Sequence, residues 1–144
     1  MINLRIIYPT PQGGVAILIP MIESGMTIEE IAAKDVPAGV PYKIVDVADI
    51  PTDRTFRNAW EHCPVNGTKV NTAKAKAIHL DRLRELRAPK FAALDIAYQR
   101  ADELGDAQGK RDLAAKKQAL RDVTKVALPD DLASLKDFIP DILK

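Results

Sequence analysis

Two short runs of aliphatic and β-branched residues open the chain, Leu4-Arg5-Ile6-Ile7-Tyr8 and Val15-Ala16-Ile17-Leu18-Ile19. Runs of this length bounded by turn residues predict strands. The connector Pro9-Thr10-Pro11-Gln12-Gly13-Gly14 suits a hairpin with a longer loop rather than a two-residue turn. The pattern then becomes helical over Met26–Lys34, with Thr27 as N-cap and Glu30 three positions on, the arrangement of a capping box. Acidic residues in the first turn and Lys34 in the last match the helix dipole, and Pro37 blocks continuation. Tyr42-Lys43-Ile44-Val45-Asp46-Val47 alternates as a half-buried strand does, with Tyr42, Ile44 and Asp46 on one face. The order predicts an antiparallel sheet of about three strands with helices on one face. Such a sheet is marginal alone and needs a partner surface.

A second short helix is expected over Thr52–His62, capped by Thr52 or Asp53. Phe56 and Trp60 would lie four apart on its inner face with Ala59 and Cys63, and Arg54, Asn58 and Glu61 on the outer one. Pro64-Val65-Asn66-Gly67 reads as a linker, because Asn-Gly marks a turn.

Beyond it the periodicity is helical. Leu80, Leu83, Phe91, Leu94, Tyr98 and Ala101 recur at helical spacing behind an Asn71-Thr72 cap, with Arg87 interrupting the stripe. The phase survives Pro89, which favours one long kinked helix over two helices broken at Ala88. Gly105 suits a left-handed cap. A second helix is expected from about Gln108 to Thr124, with Leu113, Leu120 and Val123 as a narrow apolar edge. The two make an antiparallel hairpin. Pro129–Phe138 reads as a short amphipathic helix, and Ile139–Leu143 as an apolar end that needs something to pack on. The expected class is therefore α+β: a small antiparallel β-sheet lobe with short helices over residues 1–64, then a helical hairpin lobe with an amphipathic tail over 65–144.

Composition sharpens this division. Seven of the ten prolines precede residue 65, and the net charge changes from −3 over residues 1–64 to +4 over 65–144. With 47% hydrophobic residues and a net charge of +1 in 144 residues, wholesale disorder is not expected. The longest apolar run, Val15–Ile22, is far short of the roughly 20 residues that span a bilayer, so no membrane segment is expected. The opening residues lack a charged leader with an apolar core, so no secretory signal is expected. A single cysteine, Cys63, points to a reducing compartment or a particle assembled there.

Bond-making chemistry finds little support. His62, His79 and Cys63 are the only histidines and thiol. Neighbouring His62 and Cys63 cannot meet as a nucleophile pair, and no fourth ligand stands at metal-binding spacing. No catalytic residue, metal or cofactor is assigned, and the chain is not expected to be an enzyme. A basic stretch from Lys69 to Lys90 carries Lys74, Lys76, Arg82, Arg84, Arg87 and Lys90, with a net charge of +5. It could contact phosphates, but its cations fall around the helix, so nucleic acid is the lesser reading. The apolar positions Phe56, Trp60, Leu83, Phe91, Leu94 and Tyr98 are the candidates for binding protein. The narrow seam of the second arm favours helix–helix association of the coiled-coil kind, within the chain or as a homo-oligomer.

Several segments resemble a family of small tailed-bacteriophage proteins often encoded beside tail-fibre genes. They are Val40–Asp46, Ile50-Pro51-Thr52-Asp53-Arg54-Thr55-Phe56-Arg57-Asn58-Ala59-Trp60, Ala75–Arg84, Ala88-Pro89 with Ala92–Asp95, and Lys117–Thr124. Gln118-Ala119-Leu120-Arg121-Asp122 is also similar to the closing stretch of phage tail-assembly chaperones, with Ile139-Pro140-Asp141-Ile142-Leu143 in place of their aromatic end. The resemblance covers roughly residues 5–143. It implies a tail or tail-fibre assembly factor or a minor virion structural protein, acting on phage tail or tail-fibre proteins. The setting would be the host cytoplasm during assembly, or the particle itself. The alternative is a phage nucleic-acid-binding or host-directed regulatory protein using the basic helix at 69–90.

Overall fold

A computed structural model describes residues 3–22 and 25–144. The fold is α+β. The chain folds as two compact units, one ending at Ala75 and the other spanning Lys76–Lys144. The division falls beyond the expected boundary at residue 64, because the segment expected as a linker is a hairpin turn inside the first unit.

The first unit is built on a three-stranded antiparallel sheet of order β2-β1-β3, with β1 at Leu4–Pro9, β2 at Val15–Leu18 and β3 at Lys43–Asp46. The register pairs Ile6 with Leu18 and Ile44, and Ile7 with Ile17 and Lys43. Alternation therefore sends Ile6 and Ile7 to opposite faces, and both are fully buried. On the Ile6 face lies helix α1, Ile28–Asp35, contributing Ile31 and Ala32, with Val36 beyond its end. The expected capping box is present: Thr27 Oγ1 accepts from Glu30 N–H, and the Glu30 carboxylate accepts from Thr27 N–H. On the Ile7 face lie Val15, Val45, Ile50 and Trp60. Strand β3 is thus most buried at Val45, while Tyr42 and Asp46, on the face that alternation shares with Ile44, are exposed.

The helix expected over Thr52–His62 is not formed. That segment is a turn, then a single 3-10 turn at Arg57–Ala59, then strand β4 at Trp60–Cys63, paired antiparallel with β5 at Gly67–Val70. Thr52, Asp53, Thr55, Phe56 and Asn58 are weak helix formers, and Pro64 ends any helix that reached it. Gly67 has φ of 80°, and a Cβ there would lie 2.9 Å from Ile7 Cδ1, so only glycine closes this turn against the sheet. On β4, Trp60 faces with His62 and away from Cys63, so the four-residue aromatic pairing and the shared Phe56–Cys63 face do not exist. The hairpin places Trp60, 1% exposed, over Ile7 and Val45. The sheet is covered on both faces by its own chain, by a helix on one and a hairpin on the other.

Helix α2 runs Thr72–Glu103 without interruption through Pro89. Asn71 caps it, its Oδ1 accepting from Lys74 N–H at 3.0 Å. Gly105, φ 66°, closes it with paired bonds from Asp106 N–H to Ala101 O and from Gly105 N–H to Asp102 O, the Schellman arrangement. Helix α3, Ala107–Asp122, follows with Asp106 as N-cap. Helix α4, Leu132–Asp137, is capped by Asp131, which accepts from Ser134 N–H. In the second unit Leu83, Leu120, Val123 and Leu143 form a core, joined by Leu80, Phe91, Leu94, Leu128 and Ile139. The apolar end of the chain packs on the hairpin seam.

Candidate protein-binding surfaces and the basic helix

The six apolar candidates separate into three environments. Phe56, Trp60 and Leu83 are buried at 7%, 1% and 0% exposure, so each lies inside its own unit and offers little surface to a partner. Phe91 and Tyr98 are half-buried on α2 among the cations of the hairpin. The Arg87 and Arg121 guanidiniums sit 5.6 and 5.9 Å from the Phe91 ring, and the Lys117 and Lys110 ammonium groups 5.3 and 5.7 Å from Tyr98. Such contacts hold two arms in register through the ring quadrupoles. Lys117 also pairs with Asp95, and Lys110 with Asp102. Leu94 alone of the six borders an open groove. With Ala93, Leu120 and Ile142 it forms an apolar hollow of about 410 Å³, rimmed by Lys90 and Lys116. Leu86 and Ile96 on α2 and Leu104 beyond its end are further exposed apolar side chains of this unit.

The basic stretch is engaged within the chain at every candidate position. Lys74 pairs with Glu61 at 2.8 Å, Lys76 with Asp130, and Arg84 with Asp81 at 2.6 Å. Arg82 donates to Lys136 O at 3.1 Å and Lys90 to Lys144 O at 3.4 Å. Arg87, which breaks the apolar stripe, donates to Leu120 O at 3.2 Å and Arg121 O at 3.1 Å. These carbonyls belong to the last turn of α3, where the dipole end is negative and lacks donors. The interruption in the stripe is thus a cap for the neighbouring helix, a role only the tertiary fold reveals.

His79, four residues before Leu83 on α2, is a polar residue on the buried face of the helix. It is 1% exposed, and its Nε2–H donates to Phe138 O at 2.7 Å. This ties α2 to the segment after α4. His62 and Cys63 project to opposite sides of β4, and among the described residues no cluster of metal-ligating side chains occurs. The Cys63 thiol is drawn below its usual range by the Asn66 and Val65 backbone N–H groups.

A concave site with no local signature in the sequence lies in the first unit. Arg5, Arg54 and Arg57 border a hollow of about 460 Å³ whose other walls include Ile17, Ile19 and Val47. Arg57 lies 4.5 Å from the Trp60 ring and donates to Val15 O, while Arg54 lies 5.8 Å from the same ring. Burial, and then the Arg54 charge, draws Arg57 below its usual value. The residues come from β1, β2 and the loop after β3, and no local pattern links them.

No protein-family model matches this chain, and neither a curated protein nor a solved structure does. Among the described residues no helix is long and apolar enough to cross a membrane.

Proposed function

We propose that this protein acts by binding other polypeptides in the assembly of a bacteriophage tail or tail fibre, as an assembly factor or a minor virion component. The observation that carries the binding reading is the open apolar groove of the helical hairpin, between Leu94, Leu120 and Ile142, with lysines at its rim. A groove of this kind fits an amphipathic helical segment with acidic flanks. The phage setting rests on the family resemblance of the segments around Pro51–Trp60 and Lys117–Thr124. The host cytoplasm during assembly is the place this reading assigns, in keeping with a single unpaired cysteine. The nucleic-acid alternative draws less support, because Lys74, Lys76, Arg82, Arg84, Arg87 and Lys90 all have partners within the chain.

Co-expression with the tail and tail-fibre polypeptides of the same phage tests the reading. The expected result is a complex that co-purifies and is lost on Leu94→Asp. Mass spectrometry of purified particles separates the two versions, since a virion component is found there and a released factor is not. Absence from particles together with no effect on the binding or solubility of any tail polypeptide would overturn the proposal.

A further inference from the structure

The three-arginine hollow combines features that call for one kind of ligand. None of Arg5, Arg54 and Arg57 has a carboxylate partner among the described residues, and no acidic side chain lines the hollow. Three guanidiniums gathered with no counter-charge among the described residues lining the hollow repel one another, and a planar carboxylate accepts their paired donors. The remaining walls are aliphatic and open to solvent, with Ile19 70% exposed and Val47 40%. A bare anion would satisfy the arginines and leave these walls wet. The favoured ligand therefore carries both carboxylates and aliphatic side chains.

The backbone beside the hollow narrows the choice. Strand β2 is the edge of the sheet. Thr10 N–H bonds to Gly14 O, and the antiparallel alternation from that pair directs residues 14, 16 and 18 toward β1. Val15 and Ile17 consequently turn their main-chain groups outward. Val15 O is met by Arg57 at 2.5 Å. The groups of Ile17 are set to receive another strand, the mode in which an extended segment adds to a sheet edge.

We infer that the hollow over Arg5, Arg54 and Arg57, together with the outer edge of β2, binds an extended acidic and aliphatic segment of a partner polypeptide. The inference deepens the polypeptide-binding reading above and places a second contact in the first unit, of opposite character to the apolar groove of the hairpin.

Trp60 is the only tryptophan, and two of the arginines lie on its ring, so its emission reports the site directly. The full-length chain is titrated with the capped hexapeptide Glu-Glu-Leu-Val-Glu-Leu, with the same peptide carrying Lys for Glu, and with inorganic phosphate. Amide shifts of Ile17 and Ile19 are followed by NMR. The expected result is a saturable change in Trp60 emission with the acidic peptide at up to about 1 mM, a weak interaction on the scale of short peptides. Shifts at Ile17 and Ile19 accompany it, and the affinity falls with salt. Arg54→Gln and Arg5→Gln should each weaken binding by about tenfold, the size of one charge-assisted bond. Arg54 is exposed and Arg5 bonds only its neighbour's carbonyl, so both variants keep the fold even if Arg57→Gln does not. No response to the acidic peptide, an equal response to the lysine peptide, or phosphate acting as well as the peptide would each overturn the inference. Loss of tail-protein association with peptide binding intact removes the proposed setting and leaves this site standing. Loss of peptide binding alone removes the site.

Discussion

The two units handle their positive charge in contrary ways. In the second, the basic candidates are fastened to carboxylates or helix-end carbonyls, and what remains open is apolar: the groove at Leu94 and Ile142. In the first, the core is the more complete, with a sheet covered on both faces, and what remains open is cationic: Arg5, Arg54 and Arg57. A count of charges along the sequence points to the opposite assignment, because the first 64 residues are net acidic and the rest net basic. Net charge describes a segment, and recognition depends on which charges border an open hollow once the chain has folded.

The largest effect that would sharpen this contrast is Trp60→Ala. Removing a fully buried indole from the Ile7 and Val45 cluster should cost about 3 to 5 kcal/mol. Hydrogen exchange should show protection lost across β1 to β5 and kept in α3. Equal loss in α3 would mean that the units do not have separate cores. Gly67→Ala is expected to follow, by about 1 to 3 kcal/mol, from a positive φ and a Cβ pressed on Ile7; chemical denaturation reads it. Unchanged stability would show that the hairpin is not clamped to the sheet.

Arg87→Ala should lower stability by about 1 to 3 kcal/mol, the range for hydrogen bonds to a charged donor. Its signature is fraying of the α3 C-terminus in amide exchange, which a purely electrostatic surface role would not produce. The smallest effect concerns acid. Glu61, Asp122, Asp130 and Asp131 all lie below the usual carboxylate range, held there first by Lys74, Lys125, Lys76 and the Ser134 N–H respectively. Each is easier to ionise folded than unfolded, so its contribution is present above the unfolded value. It is lost as pH falls through the lower folded value. Thermal melts from neutral pH down into the acid range should show a shallow, cumulative decline. A rise in stability on acidification would contradict the pairings.

Local signals in the chain proved readable where a single residue type determines a single local geometry. The Thr27–Glu30 box, the Asn71 cap and Gly105 at the end of α2 are of this kind; the continuity of α2 through Pro89 was legible only from the unbroken phase of the apolar stripe. Trp60-Glu61-His62-Cys63 carries a false helical signal, because an aromatic four residues after Phe56 imitates a helical face. Its strand character comes from pairing with Gly67–Val70, of which only Gly67 carries a local signal, that of a turn. Of the apolar candidates, Phe56, Trp60 and Leu83 are core and Leu94 borders an open groove, since periodicity marks an apolar face without saying what covers it. The arginine hollow left no trace in the sequence, because Arg5, Arg54 and Arg57 are brought together by the sheet register and the loop after β3.

The central claim is that this chain works by presenting surfaces to other polypeptides. Cross-linking mass spectrometry in phage-producing cells tests it most directly, because Lys90 and Lys116 stand at the rim of the hairpin groove. The account predicts cross-links from these two lysines to a defined segment of a tail or tail-fibre polypeptide, lost on Leu94→Asp. Cross-links from neither lysine to any polypeptide, with the protein recovered instead on nucleic acid, would contradict it.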